Sequence, residues 1–387
     1  MPSTPARGDA VALTRTLVAI DSRNPSLVGD GPGERACAHT LAGVLDQWGF
    51  RVEIQDTAAA RPNVIARIGE GGGRTLLFNG HLDTVGTEGM VHAPWDAAVR
   101  NGRVYGRGAA DMKGGVAAMC AAALRAVDAG LHGEVIVAAV ADEEYESIGT
   151  RALIASGLQA DAAVVTEPTR LTICPAHRGF AWLELVVHGR AAHGSRYDIG
   201  VDAITLAAAV LTELDSYQRD FLSTRMHPLL GRPSLHASIV SGGLGLSTYP
   251  DRCSVQLERR TLPGETGADF AREVEDACNR VKARVRAFRA DIIPGFAQLP
   301  NEVASTDAVV RALAASLERW GEPATVEGLP CWTDAALLSA AGIPAICFGP
   351  GDIGLAHAAE EYVEINEIER ATVVLSEFVS EWFSQTP

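Results

Sequence analysis

Short apolar runs that stop at a charged residue recur along this chain. Leu76-Leu77-Phe78-Asn79-Gly80 ends in His81-Leu82-Asp83, and Val135-Ile136-Val137-Ala138-Ala139-Val140-Ala141 ends in Asp142-Glu143-Glu144. Residues 161–166 end in Glu167-Pro168, and Ala345-Ile346-Cys347-Phe348 runs into Gly349-Pro350-Gly351, with His357 close behind. Unbroken runs of this kind fit strands buried on both faces, as in parallel sheets. Residues 50–55 and 63–68 read as further short strands. Helical spacing of apolar positions marks residues 9–20, 34–47, an alanine-rich stretch to about 129, and 364–383. Strands alternating with helices predict an α/β fold, with a mixed, mostly parallel sheet sandwiched by helices.

The middle of the chain has another rhythm. Residues 181–189 alternate like a half-buried strand, and 201–215 are amphipathic and helical. Strands over 234–241 and 253–261, a helix over 269–285 and a strand over 287–293 follow. The order β-α-β-β-α-β predicts a ferredoxin-like α+β domain. Its expected span, 178–294, is an insertion that divides a catalytic domain into residues 1–177 and 295–387.

A chain of 387 residues exceeds what one core usually serves, which agrees with two domains. The formal net charge of −15 argues against nucleic acid or an anionic membrane surface as partner. No apolar run is long enough to span a bilayer, and residues 1–8 lack the apolar core of a signal peptide. The seven cysteines are scattered, with no Cys-x-x-Cys. They fit small core residues of a protein in a reducing cytoplasm.

In open α/β sheets, ligands gather beyond the carboxyl ends of the strands. His81, Asp83, Glu143, Glu144, Glu167 and His357 follow such ends. Asp111 stands in Gly106-Arg107-Gly108-Ala109-Ala110-Asp111-Met112-Lys113-Gly114-Gly115, just before the alanine-rich helix. That segment is not a nucleotide loop, because Asp111 occupies the third glycine position of Gly-x-Gly-x-x-Gly and would repel a phosphate. If these acids converge, they cannot all ionise without a cation. Histidine with carboxylates and no cysteine suits Zn²⁺, with Co²⁺ or Mn²⁺ as substitutes, and the donors suffice for two ions. Of Glu143 and Glu144, one would bind metal and the other act as base. His177 and His193 are further candidates, His193 because it leaves a strand among small residues. Arg260 reads equally as a clamp for a substrate carboxylate or as a surface ion pair. The other histidines carry less weight: His132 falls in an expected turn, and His188 and His227 have no acid near them in sequence.

Taken in order, Asn79–Val85, Gly106–Gly115, Asp142-Glu143-Glu144, Thr166-Glu167-Pro168-Thr169 and His357 resemble the dizinc amidohydrolases and metallopeptidases. That family includes acetylornithine deacetylase, succinyl-diaminopimelate desuccinylase, aminoacylase and carboxypeptidase G. The resemblance covers essentially the whole chain. It implies two zinc ions bridged by Asp111, one completed by His81 and Glu167, the other by Glu144 and His357. It also implies that Asp83 orients the His81 ring, that Glu143 is general base and acid, and that the Asp111–Met112 bond is cis. The inserted domain becomes a lid and dimerisation domain, making the protein a homodimer. His193 then reaches the partner subunit's site to stabilise an oxyanion, while Arg260, Gly349 and Thr333 contact substrate. Two departures fall on substrate-contacting regions. Ser247 stands where many relatives have asparagine, and Cys331-Trp332-Thr333 stands where several have Gly-Thr-Ser.

The resulting expectation is a metal-dependent hydrolase of an N-acyl amino acid. A dipeptidase or glutamate-type carboxypeptidase of the same chemistry is the nearest alternative. A non-catalytic binding protein would be expected to have lost Glu143 or a ligand, and none is missing. A serine hydrolase is disfavoured by the lack of a Gly-x-Ser-x-Gly elbow.

Overall fold

The computed structural model describes residues 4–57, 61–71, 73–130 and 133–384, so His132 lies outside it. The chain divides into two compact units. The first comprises residues up to Ala176, Val303–Gly328 and Thr333 onward; the second is His177–Glu302 with Leu329–Trp332.

In the first unit, the central sheet runs in the order Arg51–Asp56, Pro62–Gly69, Glu134–Val140, Thr75–His81, Ala162–Val165, Ala345–Cys347, Ile173–His177. The four strands from Glu134–Val140 to Ala345–Cys347 pair parallel, while Pro62–Gly69 and Ile173–His177 join them antiparallel, as Arg51–Asp56 joins Pro62–Gly69. The four parallel strands are the four apolar runs of the sequence. Their side chains are almost wholly buried, which is why they carry no polar alternation. Helix Gly114–Asp128 is buried nearly all round and packs against Ile365–Ser384. Small alanines permit that close approach.

Several elements have no counterpart in the sequence pattern, among them helix Ala308–Arg319. Strand Ile173–His177 contains Pro175, which disguises it as a loop. Helices Ile148–Ala155 and Ala335–Ala340 are too short for the 3.6-residue period to register. A short strand, Val99–Arg100, pairs with Arg103–Tyr105 and, through it, Tyr362–Glu364.

The second unit has the expected β-α-β-β-α-β order. Its antiparallel sheet runs Ser234–Gly242, Arg252–Thr261, Gly179–His188, Arg289–Gln298. Ala181, Leu183, Leu185 and Val187 alternate inward. Helices Ala203–Asp220 and Gly267–Arg284 cover that face with Val210, Leu214, Phe270 and Val274. Both helices start on side-chain caps, Asp202 on Thr205 N–H and a Thr266/Asp269 capping box. The last strand continues past the expected boundary at Pro294. Proline cannot donate to the ladder, and the register slips there before pairing resumes at Ala297 opposite Ala181.

His177 is buried at the end of strand Ile173–His177. Its Nδ1 donates to the Arg178 carbonyl at 3.0 Å, and its ring packs edge-on to Trp332. Burial pushes its pKa down to about 4. The unfolded chain therefore binds a proton that the fold refuses. The stabilising contribution is complete above the ordinary pKa near 6.5 and is lost as pH falls towards 4. Chemical denaturation at pH 7 and pH 5 should show His177→Phe losing about 2 kcal/mol less between the two than the parent chain does. An equal loss in both proteins would refute this account.

Candidate metal centre

Register brings the strand ends level. His81 lies opposite Val140, Asn79 opposite Val165, and Val165 opposite Cys347. Residues one to four places beyond these positions therefore meet on one edge. Asp111 joins them from a tight turn. Gly108, at φ +80°, takes the left-handed conformation that opens this turn, and a Cβ there would press on Thr84 at 2.7 Å. The Asp111–Met112 peptide bond is cis.

Asp111 is the hub. Its Oδ1 lies 3.0 Å from His81 Nε2, and its Oδ2 lies 3.5 Å from His357 Nε2. His357 Nε2 is also 3.1 Å from Glu144 Oε2. Glu143 Oε2 stands 4.0 Å from His81 Nε2. The ligand atoms of His81, Asp111 and Glu144 all lie within 4.8 Å of one another. Glu167 is buried, and its Oε1 has no hydrogen-bond partner. An orphaned carboxylate oxygen beside histidine and carboxylate donors is what a divalent ion would complete. The donor set therefore fits metal, with His81, Asp111, Glu144, Glu167 and His357 able to hold it.

The electrostatics agree. Burial pushes Glu143 and Glu167 well above the ordinary carboxylate range, and their neighbouring acids add to the rise. Burial and Asp111 raise Glu144 against the pull of His357. For Asp111, burial is outweighed by the bond to His81 and the charges of His81, His357 and Arg107, which hold it low. His357 rises to about 9, first through its bond to Glu144. Burial opposes protonation of His81, but Asp111, Glu143 and Asp83 raise it well above its usual value.

Asp83 acts through two different groups. Its backbone carbonyl, 2.9 Å from His81 Nδ1, fixes the ring, while its Oδ1 is 3.7 Å from the same nitrogen. Because a carbonyl only accepts, Nδ1 carries a proton and Nε2 faces the cluster. The Asp83 carboxylate accepts instead from the backbone N–H of Glu143 (3.1 Å) and Glu144 (3.2 Å), and from Asn24 Nδ2 (2.8 Å). Asn24 Nδ2 also donates to Asp142 Oδ1 at 2.9 Å. Arg61 pairs with both Asp142 and Glu34. On the other side, buried Arg107 pairs with buried Glu361 at 2.6 Å. Asn24, Glu34, Arg61, Arg107 and Glu361 carried no periodic signal; only the need of a buried guanidinium for carboxylates pointed to such partners.

Gly349 and Thr333 are buried in the first unit. Thr333 Oγ1 lies 3.2 Å from Cys347 Sγ and accepts from the N–H of Ala335 at 3.2 Å, at the start of a helix. Gly349 sits against the backbone of Thr166 and Glu167. In the second unit, His193 is exposed, and its Nδ1 takes the Ser195 N–H at 3.3 Å and lies 2.9 Å from Ser195 Oγ. Arg260 donates from Nε to Glu258 and lies over the Phe180 ring. His188 and His227, which lack acids nearby in sequence, find Asp291 at 2.7 Å and Glu302 at 3.0 Å in space.

A sheet whose strand ends converge on His81, His357 and a cluster of carboxylates, joined to a ferredoxin-like unit, defines a class of two-domain hydrolase. The profile of "Peptidase family M20/M25/M40" matches residues 77–381. Acetylornithine deacetylase of Myxococcus xanthus is 31% identical over 87% of this chain and 89% of its own length. N-formyl-4-amino-5-aminomethyl-2-methylpyrimidine deformylase of Bacillus subtilis is 26% identical over 97% of this chain and 95% of its own. Among solved structures, aminopeptidase PepT of Bacillus cereus superposes with a TM-score of 0.81 at 20% identity, covering 99% of this chain and all of that one. The chain belongs to the M20/M25/M40 peptidase family, whose members are metal-dependent amidohydrolases or peptidases.

A Cβ on residue 349 would meet Thr166 O at 2.5 Å and Glu167 O at 2.6 Å. Both are backbone atoms that cannot swing aside. Gly349→Ala should cost about 1–3 kcal/mol in denaturant unfolding. A variant as stable as the parent would show that this contact relaxes freely.

Proposed function

We propose that this chain hydrolyses the amide bond of an N-acyl amino acid, with two Zn²⁺ ions at the strand ends. One observation carries the reading: opposite oxygens of one buried carboxylate, Asp111, face His81 and His357. That is the arrangement expected of a ligand shared between two ions. The match to acetylornithine deacetylases supports a deacylase over a dipeptidase or carboxypeptidase. A dinuclear metal-binding M20 peptidase of Bacillus subtilis shares the fold, with a TM-score of 0.73. We assign His81 and Glu167 to one ion and Glu144 and His357 to the other. Bound there, the ions supply Lewis acidity, which in well-studied zinc sites lowers the pKa of water to about 7.

Glu143 is our general base. It stands at the cluster edge, and neither histidine makes its closest contact with it. It takes a proton from the attacking water and returns it to the leaving amine. Asp83, through two backbone N–H groups, holds Glu143 and Glu144 at their separate tasks. His193, reaching the partner subunit's site, donates to the carbonyl oxygen as charge builds there. Its Nδ1 is occupied by the Ser195 N–H, which leaves Nε2 to carry the proton. Arg260 binds the substrate carboxylate.

Amine release across N-acetyl, N-succinyl, N-formyl and dipeptide substrates, with chelated enzyme as control, tests the reading. The N-acyl amino acids should be hydrolysed faster than the dipeptides, and chelation should abolish turnover. Faster dipeptide cleavage would favour the peptidase. Glu143→Ala should keep its metal and lose about 10²–10⁴ in kcat. Full activity would remove Glu143 from the mechanism.

We infer further that the second unit is a lid and dimerisation domain and that the protein is a homodimer. Its edge strand, Ser234–Gly242, exposes Ile239 and Val240, and Leu244 and Leu246 follow, also exposed. An edge of that character is a template for pairing unless a charge interrupts it. Light scattering should give a dimer mass for the parent chain and a monomer for Val240→Lys. A monomeric parent would end this proposal. The six buried thiols, Cys37, Cys120, Cys174, Cys253, Cys278 and Cys347, support a cytoplasmic location, and no described helix is long and apolar enough to cross a membrane.

A further inference from the structure

We propose that Glu361 is a positioning residue that clamps the backbone of the shared ligand, Asp111, and that Arg107 anchors the clamp. Glu361 is fully buried and four residues beyond His357. Its Oε1 accepts from the backbone N–H of Ala110 at 3.1 Å and of Asp111 itself at 3.2 Å. Its Oε2 accepts from Arg107 Nη1 at 2.6 Å. All three contacts are N–H donors, so both side-chain oxygens act as acceptors. Arg107 is anchored in turn, its Nε donating to the Gly86 carbonyl at 2.9 Å.

The main chain of Glu361 is tied to the same segment. Its carbonyl accepts from Gly106 N–H at 3.2 Å and lies 3.1 Å from His92 Nε2. The Asp111 turn is thus sewn to the stretch that follows His357 by both backbone and side chain. A charge pair meant only for stability would need Arg107 and Glu361 alone. Here the second oxygen is spent on the N–H of the one residue whose carboxylate faces both histidines. Because Arg107 balances Glu361, the clamp adds no net negative charge beside Asp111, which already has three acids near it.

Substitution by glutamine exposes the logic. In Glu361→Gln the side-chain amide has one acceptor end and one donor end, while both sites it faces are donors. Whichever way the amide turns, it gives up either Arg107 or the Asp111 clamp.

This inference rests on Asp111 being the ligand shared by two ions, and the test separates the two ideas. Zn²⁺-loaded parent and Glu361→Gln proteins are mixed with a chromophoric chelator, and the release of each equivalent is timed. Thermal unfolding of the metal-free proteins establishes that both are folded at the assay temperature. The folded variant should release its first equivalent at least about tenfold faster, in line with the usual loss on removing a partner of a metal ligand. A merely structural role would lower the unfolding temperature and leave release unchanged. A folded variant with parental release overturns the clamp. A parent chain that binds no zinc overturns the shared-ligand reading and the clamp with it. Should Glu361→Gln not fold, Glu361→Asp carries the same expectation, since it keeps a charge for Arg107 but is one methylene short of the two amides.

Discussion

Mutual repulsion among four buried carboxylates, Asp111, Glu143, Glu144 and Glu167, is the constraint that the surrounding structure answers. Such a group is tolerated in a fold only with compensating positive charge. The structure supplies that charge unevenly. In the outer ring, Glu34 and Asp142 share Arg61, and Glu361 has Arg107. Asp83 is satisfied by N–H donors from Asn24, Glu143 and Glu144. In the inner ring, the ion pairs among the described residues are with His81 and His357 alone. The guanidinium groups thus stop one layer short of the cluster. Four inner carboxylates match the charge of two divalent cations, so what the protein leaves uncompensated is what such ions would provide.

The inner ring was legible in the sequence, and the outer ring largely was not. A strand buried on both faces must be apolar, so a charge at its end marks both the strand and its terminus; His81, Glu143, Glu144 and Glu167 all announce themselves this way. Asp111 was marked by glycines that had no phosphate to cradle. The outer ring is chosen by tertiary contact. Asn24 meets Asp83 and Asp142, and Glu361 meets Asp111, across separations that no local period encodes. Asp83 shows the limit within a single residue. The resemblance had Asp83 orient the His81 ring; its backbone carbonyl meets the ring nitrogen, while its carboxylate takes the amides of Glu143 and Glu144. The parallel centre of the sheet was equally plain, whereas Ile173–His177 hid behind its proline.

The two units carry different kinds of information. Every candidate metal ligand and Glu143 belong to the first, on strand ends whose register is set by buried ladders. Arg260 and His193 belong to the second, where side chains are more exposed and more easily varied. The departures from the family pattern at Ser247 and Cys331-Trp332 lie in that second unit. Amide hydrolysis could therefore be argued from the strand ends, while the choice of acyl group could not.

The proposed role of Arg260 would make such a choice physically. Its Nε is engaged by Glu258, and its guanidinium lies over Phe180, which packs in turn against Trp182, Phe296 and Trp332. A guanidinium has five donors, and the Nε contact uses one. A substrate carboxylate that joins or displaces Glu258 replaces one anion with another, so the arginine is never left unpaired and the exchange is inexpensive. What remains to discriminate between substrates is the aromatic wall beside it. Flat rings favour apolar groups and offer nothing to a neutral polar one. On the proposed role of Arg260, selectivity would turn on which substrate body can lie against those rings while its carboxylate reaches the guanidinium.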